Sequence, residues 1–247
     1  MKLALLADVH ANLQALEACL EHAEEHGADE VAFLGDLVGY GADPAAVLER
    51  VMARAAAGAV VVRGNHDAAV VAAGADTMNK SAEAVVGWTR GQLGPAQLAF
   101  LAGLPLMVKR DGLCFVHASA DEPGDWTYVH DTPQAARSIA AARSSWVFSG
   151  HVHEQALYHL GLGGRGRRFS PVPGVVIPVP ARRHWLAVVG SVGQPRDGNT
   201  AACYAIFDTA GTTLTFQRVP YDWSVAAGKI RAAGLPESLA DRLERGE

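Results

Sequence analysis

Short apolar runs alternate with longer helical patterns through the first two-thirds of the chain, most clearly at its start. The runs predict strands at Leu3–Ala7, Glu30–Leu34 and Val60–Arg63, and a helical spacing of apolar positions predicts helices at Leu13–His26 and Pro44–Ala57. We expect a loop after the third strand. Strands that alternate with helices indicate a parallel sheet built from crossover units.

The alternation is less clear in the rest of the chain. Residues Thr77 to Leu104 predict two helices that separate at Gly94-Pro95. Further strands are predicted at Leu113–Val116, Trp146–Ser149, Trp185–Val189, Ala202–Phe207 and Thr213–Val219. The last two suit a hairpin around Asp208–Gly211. These later strands have no predicted helices between them, so they suggest a second, mostly antiparallel sheet, and two sheets with helices outside make a sandwich.

Composition narrows the class of protein. The chain has 247 residues, of which 49% are hydrophobic, so one large α/β domain over residues 1–247 is expected. The net charge of −5 does not favour a general nucleic-acid surface. No run reaches the roughly 20 apolar residues of a membrane span. The separated cysteines, Cys19, Cys114 and Cys203, suit reduced core thiols, and we predict a cytoplasmic protein.

Glycine, proline and arginine crowd together in one segment, residues 161–183, which contains five arginines. A solvated surface loop or an extended arm is the expected structure. The same arginines leave open a contact with phosphates.

Polar side chains follow five successive predicted strands. In chain order these are Asp8 and His10, Asp36, Asn65 with His66 and Asp67, His117, and His151 with His153. Side chains just past the carboxyl ends of such strands converge in one crevice of an α/β protein. Asp8 and His10 are two positions apart, as are His151 and His153. In extended backbone, the two side chains of each pair would point the same way.

Each of these residues alone has an ordinary interpretation. An acid after a strand is typical of a turn or a helix cap, and a lone histidine is typical of a partly buried side chain with a satisfied hydrogen bond. The ordered recurrence of acids, imidazoles and an amide at five strand ends favours a constructed site instead. Nitrogen and oxygen donors without thiolate suit Mn²⁺, Fe, Zn²⁺, Co²⁺ or Ni²⁺ more than Mg²⁺ or Ca²⁺.

These motifs carry a family resemblance. Asp8-x-His10, Gly35-Asp36, Gly64-Asn65-His66-Asp67, His117 and Gly150-His151-x-His153 together resemble the signature of the calcineurin-like metallophosphoesterases. The segments "GDLVGYGADP" and "GSVGQPRDGNTAACYAIFD" are similar to a small prokaryotic branch of predicted phosphodiesterases within it. The resemblance implies a four-layer α-β-β-α sandwich with two mixed sheets flanked by helices.

The resemblance also implies a ligand set for two metal ions, with manganese favoured. One ion would be held by Asp8, His10, Asp36 and His153, and the other by Asp36, Asn65, His117 and His151, so that Asp36 is the bridge. The pair of ions would activate a bridging water or hydroxide for in-line attack on a small phosphodiester or phosphomonoester, for example a nucleotide.

Two residues beside the ligands are implied to be catalytic. His66 would protonate the leaving alkoxide or stabilise the charged transition state. Asp67 would orient His66 and keep it charged, or would only fix the loop, and both roles stay open.

The chain departs from the phosphoprotein phosphatases of this superfamily, which carry Asp-Arg-Gly where Gly39-Tyr40-Gly41 stands here, and this weakens a protein-phosphatase assignment. Tyr40 and Arg196 are candidate contacts to a phosphate or base. Packing for Tyr40, and an ion pair with Asp197 for Arg196, are the ordinary alternatives.

Two other functions remain as alternatives to the enzyme. A non-catalytic scaffold for a partner protein is disfavoured because no ligand is missing. A nuclease would need a long basic groove, to which the 161–183 arm contributes part. The expected partner is a small phosphate ester, with no membrane association and with self-association left open.

Overall fold

The computed structural model describes residues 1–72, 80–161 and 166–247. The first half follows the predicted alternation, with bounds β1 Lys2–Leu6, α1 Leu13–Glu25, β2 Glu30–Phe33, α2 Pro44–Ala56, β3 Val60–Val61, α3 Asn65–Ala72, α4 Lys80–Gly91 and α5 Pro95–Gly103. The two helices predicted over Thr77–Leu104 correspond to α4 and α5, and residues 77–79 lie outside the described part.

The second half contains β4 Met107–Arg110, β5 Leu113–Val116, α6 Thr132–Ala142, β6 Trp146–Ser149, β7 Gln155–Leu160, β8 Gly166–Phe169, β9 Val176–Pro178, β10 His184–Val189, β11 Ala202–Asp208, β12 Thr213–Val219, α7 Trp223–Ala232 and α8 Glu237–Arg245. Three predicted strands, β5, β6 and β12, match residue for residue. The elements β4, α6, β7, α7 and α8 were not predicted.

Two six-stranded sheets form the centre of the fold. The first has the order β3-β2-β1-β11-β12-β9, and the second has the order β4-β5-β6-β10-β7-β8. Strands β1, β2 and β3 run parallel, whereas β11 pairs antiparallel with β1. The first sheet is therefore mixed. The second sheet also combines parallel and antiparallel pairs, as the family resemblance implied.

The β11–β12 hairpin corrects the strand-order prediction. It extends the first sheet beside β1, with Leu5 opposite Ala205, and does not belong to a second antiparallel sheet. In the second sheet β6 runs parallel to both β5 and β10, and α6 makes the crossover from β5 to β6. Local patterning misses this arrangement because pairing partners far apart in sequence decide it.

Buried side chains fill three layers between the elements. Leu3 and Leu5 of β1 face the second sheet, where they join Phe115 and Phe148. Ala4 and Leu6 face the opposite way, onto α1 and α2. A third cluster lies between the second sheet and α6. The continuous apolar run of β1 follows from burial on both faces of its sheet, and the layers form the α-β-β-α sandwich.

Two segments predicted as loops contain regular structure. The loop expected after β3 is α3, whose first turn holds Asp67, an acid that suits the positive end of the helix dipole. The 161–183 arm supplies an edge strand to each sheet, β8 to the second and β9 to the first. Its residues 162–165 lie outside the described part of the chain.

The three cysteines are free and buried, as expected for core thiols. Burial raises the pKa of the Cys114 thiol to about 11. Within the described residues, no helix combines the length and the apolar character needed to cross a membrane.

Candidate metal centre

Side chains from both sheets meet at the edge where β1, β2, β5 and β6 end. All seven predicted metal ligands lie there: Asp8, His10, Asp36, Asn65, His117, His151 and His153. Six of them are buried, with exposed fractions of 5% or less, and Asn65 at the start of α3 is half-buried. Burying this many ionisable groups is costly unless they are paired or bind a metal.

Asp8, His10 and His153 form the first group, in which one ligand atom from each residue lies within 4.8 Å of the others. The Nε2 atoms of His10 and His153 are 3.1 Å apart. The Oδ1 of Asp8 lies 3.5 Å from the His153 Nε2.

Asp36, His117 and His151 form the second group under the same distance limit. The His117 Nε2 is 3.1 Å from the His151 Nδ1, 3.1 Å from the Asn65 Oδ1 and 3.4 Å from the Asp36 Oδ2. The same Asp36 Oδ2 lies 3.7 Å from the His10 Nε2 of the first group. The Asp36 carboxylate therefore lies between the two groups.

Backbone carbonyls fix the tautomers of three imidazoles. The Nδ1 atoms of His10, His117 and His153 each lie within hydrogen-bond distance of a carbonyl oxygen, at 3.3, 2.8 and 2.6 Å. Each Nδ1 therefore carries the proton that it donates, and Nε2 of a neutral ring presents a lone pair. Two lone pairs face each other across the 3.1 Å between His10 and His153, which suits a shared cation. Such carbonyl contacts also orient histidine ligands in metal sites, so the residues fit a metal.

The pKa shifts favour neutral rings at three of the four histidines and a charge pair at the fourth. Burial lowers the pKa of His10 and of His153 well below the ordinary value, and lowers that of His151 to about 3. At His117 burial also lowers the pKa, but the Asp36 carboxylate outweighs it and the value rises to about 9. Burial raises the pKa of Asp36, yet the charge of His117 outweighs burial and holds it well below its usual range.

The backbone of the ligands is left-handed at five of the seven positions. Asp8, His10, Asp36, His151 and His153 have φ between 48° and 69°. The prediction that the Asp8–His10 pair and the His151–His153 pair lie in extended backbone is therefore wrong. Tight turns bring their side chains together instead. Left-handed backbone costs a residue with a Cβ roughly 1–2 kcal/mol. Strain of this kind concentrates at functional sites.

Glycines next to the ligands are required for two different reasons. Gly35 has a φ of +87°, which glycine adopts readily. Gly64 and Gly150 have no such φ; a Cβ at Gly64 would overlap Asp36, and a Cβ at Gly150 would lie 2.5 Å from the Asp8 Oδ2. Backbone conformation therefore explains Gly35, and close packing explains the other two.

His66 and Asp67 occupy the first turn of α3. The backbone N–H of His66 donates to the Asp36 Oδ1 at 2.8 Å, and burial lowers the pKa of the His66 ring. Asp67 is fully buried and accepts from the N–H groups of Leu37, Val38 and Gly64 at 2.9, 3.2 and 2.9 Å. Its carboxylate thus joins the two loops that carry Asp36 and His66, which is the loop-fixing role that the sequence left open.

Tyr40 and Arg196 both lie beside the ligands. The Tyr40 ring is 4.6 Å from the His10 ring and 4.4 Å from the His66 ring, measured between centroids. The Arg196 guanidinium carbon is 5.9 Å from the Tyr40 centroid. Asp197 pairs with Arg218 and not with Arg196, so the ion pair considered as the alternative for Arg196 is wrong.

Three further contacts were missed by the sequence reasoning. Tyr128 stacks on His151 at 3.9 Å, and Trp126 lies edge-on to His117 at 5.9 Å. Both come from the connection between β5 and α6. The signal was available, because an aromatic pair stands in the polar stretch "DEPGDWTYVHD" after His117. The Gln194 carbonyl, which accepts from His153, had no such signal.

Comparison with known proteins points to one family. A profile of the calcineurin-like phosphoesterase superfamily domain matches residues 1–212. An uncharacterized protein of Methanocaldococcus jannaschii is 32% identical over 251 residues, which cover 98% of this chain and 96% of that protein.

Solved structures give the same result over the whole chain. The crystal structure of a metallophosphoesterase from Sphaerobacter thermophilus matches with a TM-score of 0.89 at 35% identity, covering 100% of this chain and 99% of that one. A hypothetical protein from Pyrococcus horikoshii OT3 matches with a TM-score of 0.79 at 21% identity, over 100% and 98% of the two chains. The second match shows likeness of fold alone.

Proposed function

Because the chain belongs to the calcineurin-like phosphoesterase superfamily and is a phosphoester hydrolase, we propose that it cleaves a small phosphodiester or phosphomonoester at a dinuclear metal centre. The observation that carries the proposal is the position of Asp36, whose Oδ2 lies 3.7 Å from His10 of one ligand group and 3.4 Å from His117 of the other. A carboxylate between two complete sets of donors suits a pair of ions better than one.

One ion would be held by Asp8, His10, Asp36 and His153, and the other by Asp36, Asn65, His117 and His151. The donors are imidazole nitrogen and carboxylate or amide oxygen, which favours manganese and also suits iron, zinc, cobalt or nickel. When bound, two such ions polarise a phosphoryl oxygen and lower the pKa of a coordinated water.

The protein's own contribution is to hold the donors in place. The Asp8 carboxylate accepts from the His151 N–H at 2.9 and 3.1 Å, so each of these two ligands helps to fix the other. The Ser191 hydroxyl donates to the Asp8 carbonyl at 2.8 Å. Burial of the carboxylates and imidazoles keeps bulk water from competing as ligand, which strengthens the electrostatic interactions at the site.

His66 is the proposed general acid. Its Nδ1 lies against Gly39, where a Cβ would be 2.6 Å away, so Nε2 is the nitrogen that can give a proton to the leaving oxygen. Burial lowers the pKa of His66, but the neighbouring Asp36 carboxylate raises it, and a bound phosphate anion would raise it further. A well-placed acid contributes about 10²–10⁴-fold in rate.

The substrate is proposed to be a small ester of nucleotide size, with Tyr40 and Arg196 at its binding side. In the described part of the arm, Arg182 and Arg183 precede β10 at the end of the strand opposite Gly190, away from the candidate ligands. This placement does not favour the nuclease alternative. The buried free cysteines are in keeping with the proposed cytoplasmic location.

The proposal is tested by hydrolysis after metal removal and replacement. Protein stripped with a chelator should release no nitrophenolate from bis(p-nitrophenyl) phosphate or p-nitrophenyl phosphate. Adding Mn²⁺, Co²⁺ or Ni²⁺ should restore release, with two ions per chain by elemental analysis. A panel of nucleotides, cyclic nucleotides, dinucleoside polyphosphates and sugar phosphates would then identify the substrate class.

A matched pair of variants makes the test specific. His153→Ala should lose an ion and the activity. His26→Ala, at a histidine that directly follows α1 and lies outside the ligand groups, should keep both. If the chain binds two ions and cleaves no ester of the panel, the catalytic proposal is wrong and the scaffold alternative gains.

A further inference from the structure

The His66 ring is held by packing. Among the described residues no group forms a hydrogen bond to either of its ring nitrogens, whereas His10, His117 and His153 each have a carbonyl partner. Its aromatic neighbours are Tyr40, at 4.4 Å and 59° between planes, and His10, at 5.0 Å and 85°. The ring also lies against Gly39, and one of its nitrogens is within 4.8 Å of an Asp36 carboxylate oxygen. Tyr40 is the one of the two aromatic neighbours that is not a metal ligand.

Tyr40 itself has a strained backbone. Its φ is +64°, in the left-handed region where a bulky residue is an outlier. Such a conformation persists only when the surroundings determine it. The contacts of the Tyr40 ring therefore decide where the ring lies, and through it where His66 lies.

The C-terminal helices α7 and α8 supply contacts to the Tyr40 ring in addition to the Arg196 contact described above. The Arg242 guanidinium carbon of α8 lies 5.9 Å from the Tyr40 centroid, within the range of a cation–π interaction. Tyr40 also packs against the apolar cluster of the two helices, which includes Ile230, Leu239 and Leu243.

An ion pair joins the same helices to the loop that follows Tyr40. The Lys229 Nζ of α7 lies 2.6 Å from the Asp43 Oδ2 at the start of α2. Helices α7 and α8 lie beyond residue 212, where the family profile match ends. They therefore lie outside the profile match, and Lys229 and Arg242 reach from them to the segment that carries Tyr40.

We propose that α7 and α8 position the general acid of the proposed reaction, with Arg242 holding the Tyr40 ring and the Tyr40 ring holding His66. Tyr40 and Arg242 are positioning residues in this arrangement. The inference rests on the proposed function for its kinetic consequence, because a displaced His66 no longer delivers its proton as the bond from phosphorus to the leaving oxygen breaks. Its structural part stands without any reaction.

The structural part is tested by NMR of the histidine rings in the metal-free and the Zn²⁺-loaded protein. The His66 ring signals, assigned with His66→Gln, should shift in Arg242→Met, which keeps the aliphatic stem and removes the guanidinium. They should stay in place in Arg245→Met, an exposed arginine of the same helix that pairs with Glu247. Unchanged His66 signals in Arg242→Met would overturn the inference whether or not the protein is an esterase.

The kinetic part uses diesters with good and poor leaving groups. Tyr40→Leu should slow the loss of a poor leaving group such as phenol by roughly 10- to 100-fold in kcat, within the contribution of a general acid. Nitrophenol, which leaves without much protonation, should be affected far less. Tyr40→Phe keeps the ring, so its rate should depend on the leaving group in the same way as that of the wild type. Arg242→Met should show the same selectivity at roughly 2- to 30-fold, the range of a cation–π contact.

A double variant separates positioning from substrate contact. In a His66→Ala background, Tyr40→Leu should cost little further, because residues that act through one group are non-additive. A raised KM, an equal loss for both leaving groups, or a full further loss in that background would show that Tyr40 touches the substrate and would overturn the positioning role. Absence of hydrolysis by the wild-type protein would instead refute the proposed function and leave the NMR result to decide.

Discussion

The turns at the two ends of the central strands differ in the burial and the backbone conformation of their residues. The ligand end, where β1 leads into Asp8 and His10, buries acids and imidazoles on left-handed backbone. The hairpin end, where Lys2 pairs with Asp208 and β11 turns into β12, uses exposed and half-buried residues. There the Asp208 side chain accepts from the Ala210 N–H at 3.0 Å, an ordinary turn contact.

This difference shows where the fold tolerates buried charged groups and strained backbone. Buried charge and left-handed backbone both cost stability, and at the ligand end they recur at Asp8, His10 and Asp36, where the candidate metal ligands converge. The hairpin end has one comparable residue, Thr212 with φ of 46°, and it takes no part in the site. Substitutions at the two ends should therefore change different properties.

The largest effect is expected from Asp36→Asn. The substitution keeps the size of the side chain and removes the charge that faces both ligand groups, so kcat/KM should fall by at least about 10²-fold, as for loss of a preorganised electrostatic contact. Elemental analysis should show fewer than two ions per chain. Asp208→Asn at the hairpin end is the matched control and should leave metal content and activity unchanged. Two retained ions and full activity in Asp36→Asn would remove Asp36 from the centre.

An intermediate effect is expected from Asp67→Asn. The side-chain amide introduced at position 67 has one oxygen and one NH₂ in place of two oxygens. The NH₂ would have to face either the Gly64 N–H or the N–H groups of Leu37 and Val38, from which it cannot accept a hydrogen bond. An unsatisfied buried donor costs about 1–3 kcal/mol, so the free energy of unfolding should fall by that amount in a denaturant titration. Asp222→Asn, an exposed helix cap that asparagine replaces well, should change it little. A collapse of the rate with unchanged stability would point to direct catalysis by Asp67.

The smallest effect is expected from Thr212→Asn. Asparagine tolerates left-handed backbone better than a β-branched residue, so the protein should gain up to about 1 kcal/mol. That gain corresponds to a rise of roughly 2–4 °C in Tm for a chain of this size. Metal content and activity should not change. His10→Asn relieves the same kind of backbone strain at the ligand end, but the variant protein should lose a metal ion. If Thr212→Asn and His10→Asn had the same effect on metal content, the comparison between the two ends would be refuted.

Sequence motifs were enough to find the candidate ligands because these polar residues, and the glycines that make room for them, are short-range features. Gly35-Asp36 and Gly64-Asn65-His66-Asp67 mark both the turn and the donors, and the structure places all seven predicted ligands together. Strands β5 and β6 were also predictable, since their apolar runs end at polar ligands. The left-handed backbone of Asp8 and His10 was not predictable, because hydrogen bonds from their N–H groups to the Gly35 and Asp36 carbonyls determine it.

What the sequence alone determined was the donor set, the order of the first strands and helices, and the family. What the tertiary structure decided was every contact between distant segments: β11 beside β1, Asp67 bonded to the Leu37 N–H, and Arg242 at the Tyr40 ring. The physical reason is the range of the interactions. Turn chemistry and side-chain periodicity are set by neighbours in the chain, whereas sheet pairing and the packing of α8 on Tyr40 depend on partners up to about two hundred residues away, which no local pattern specifies.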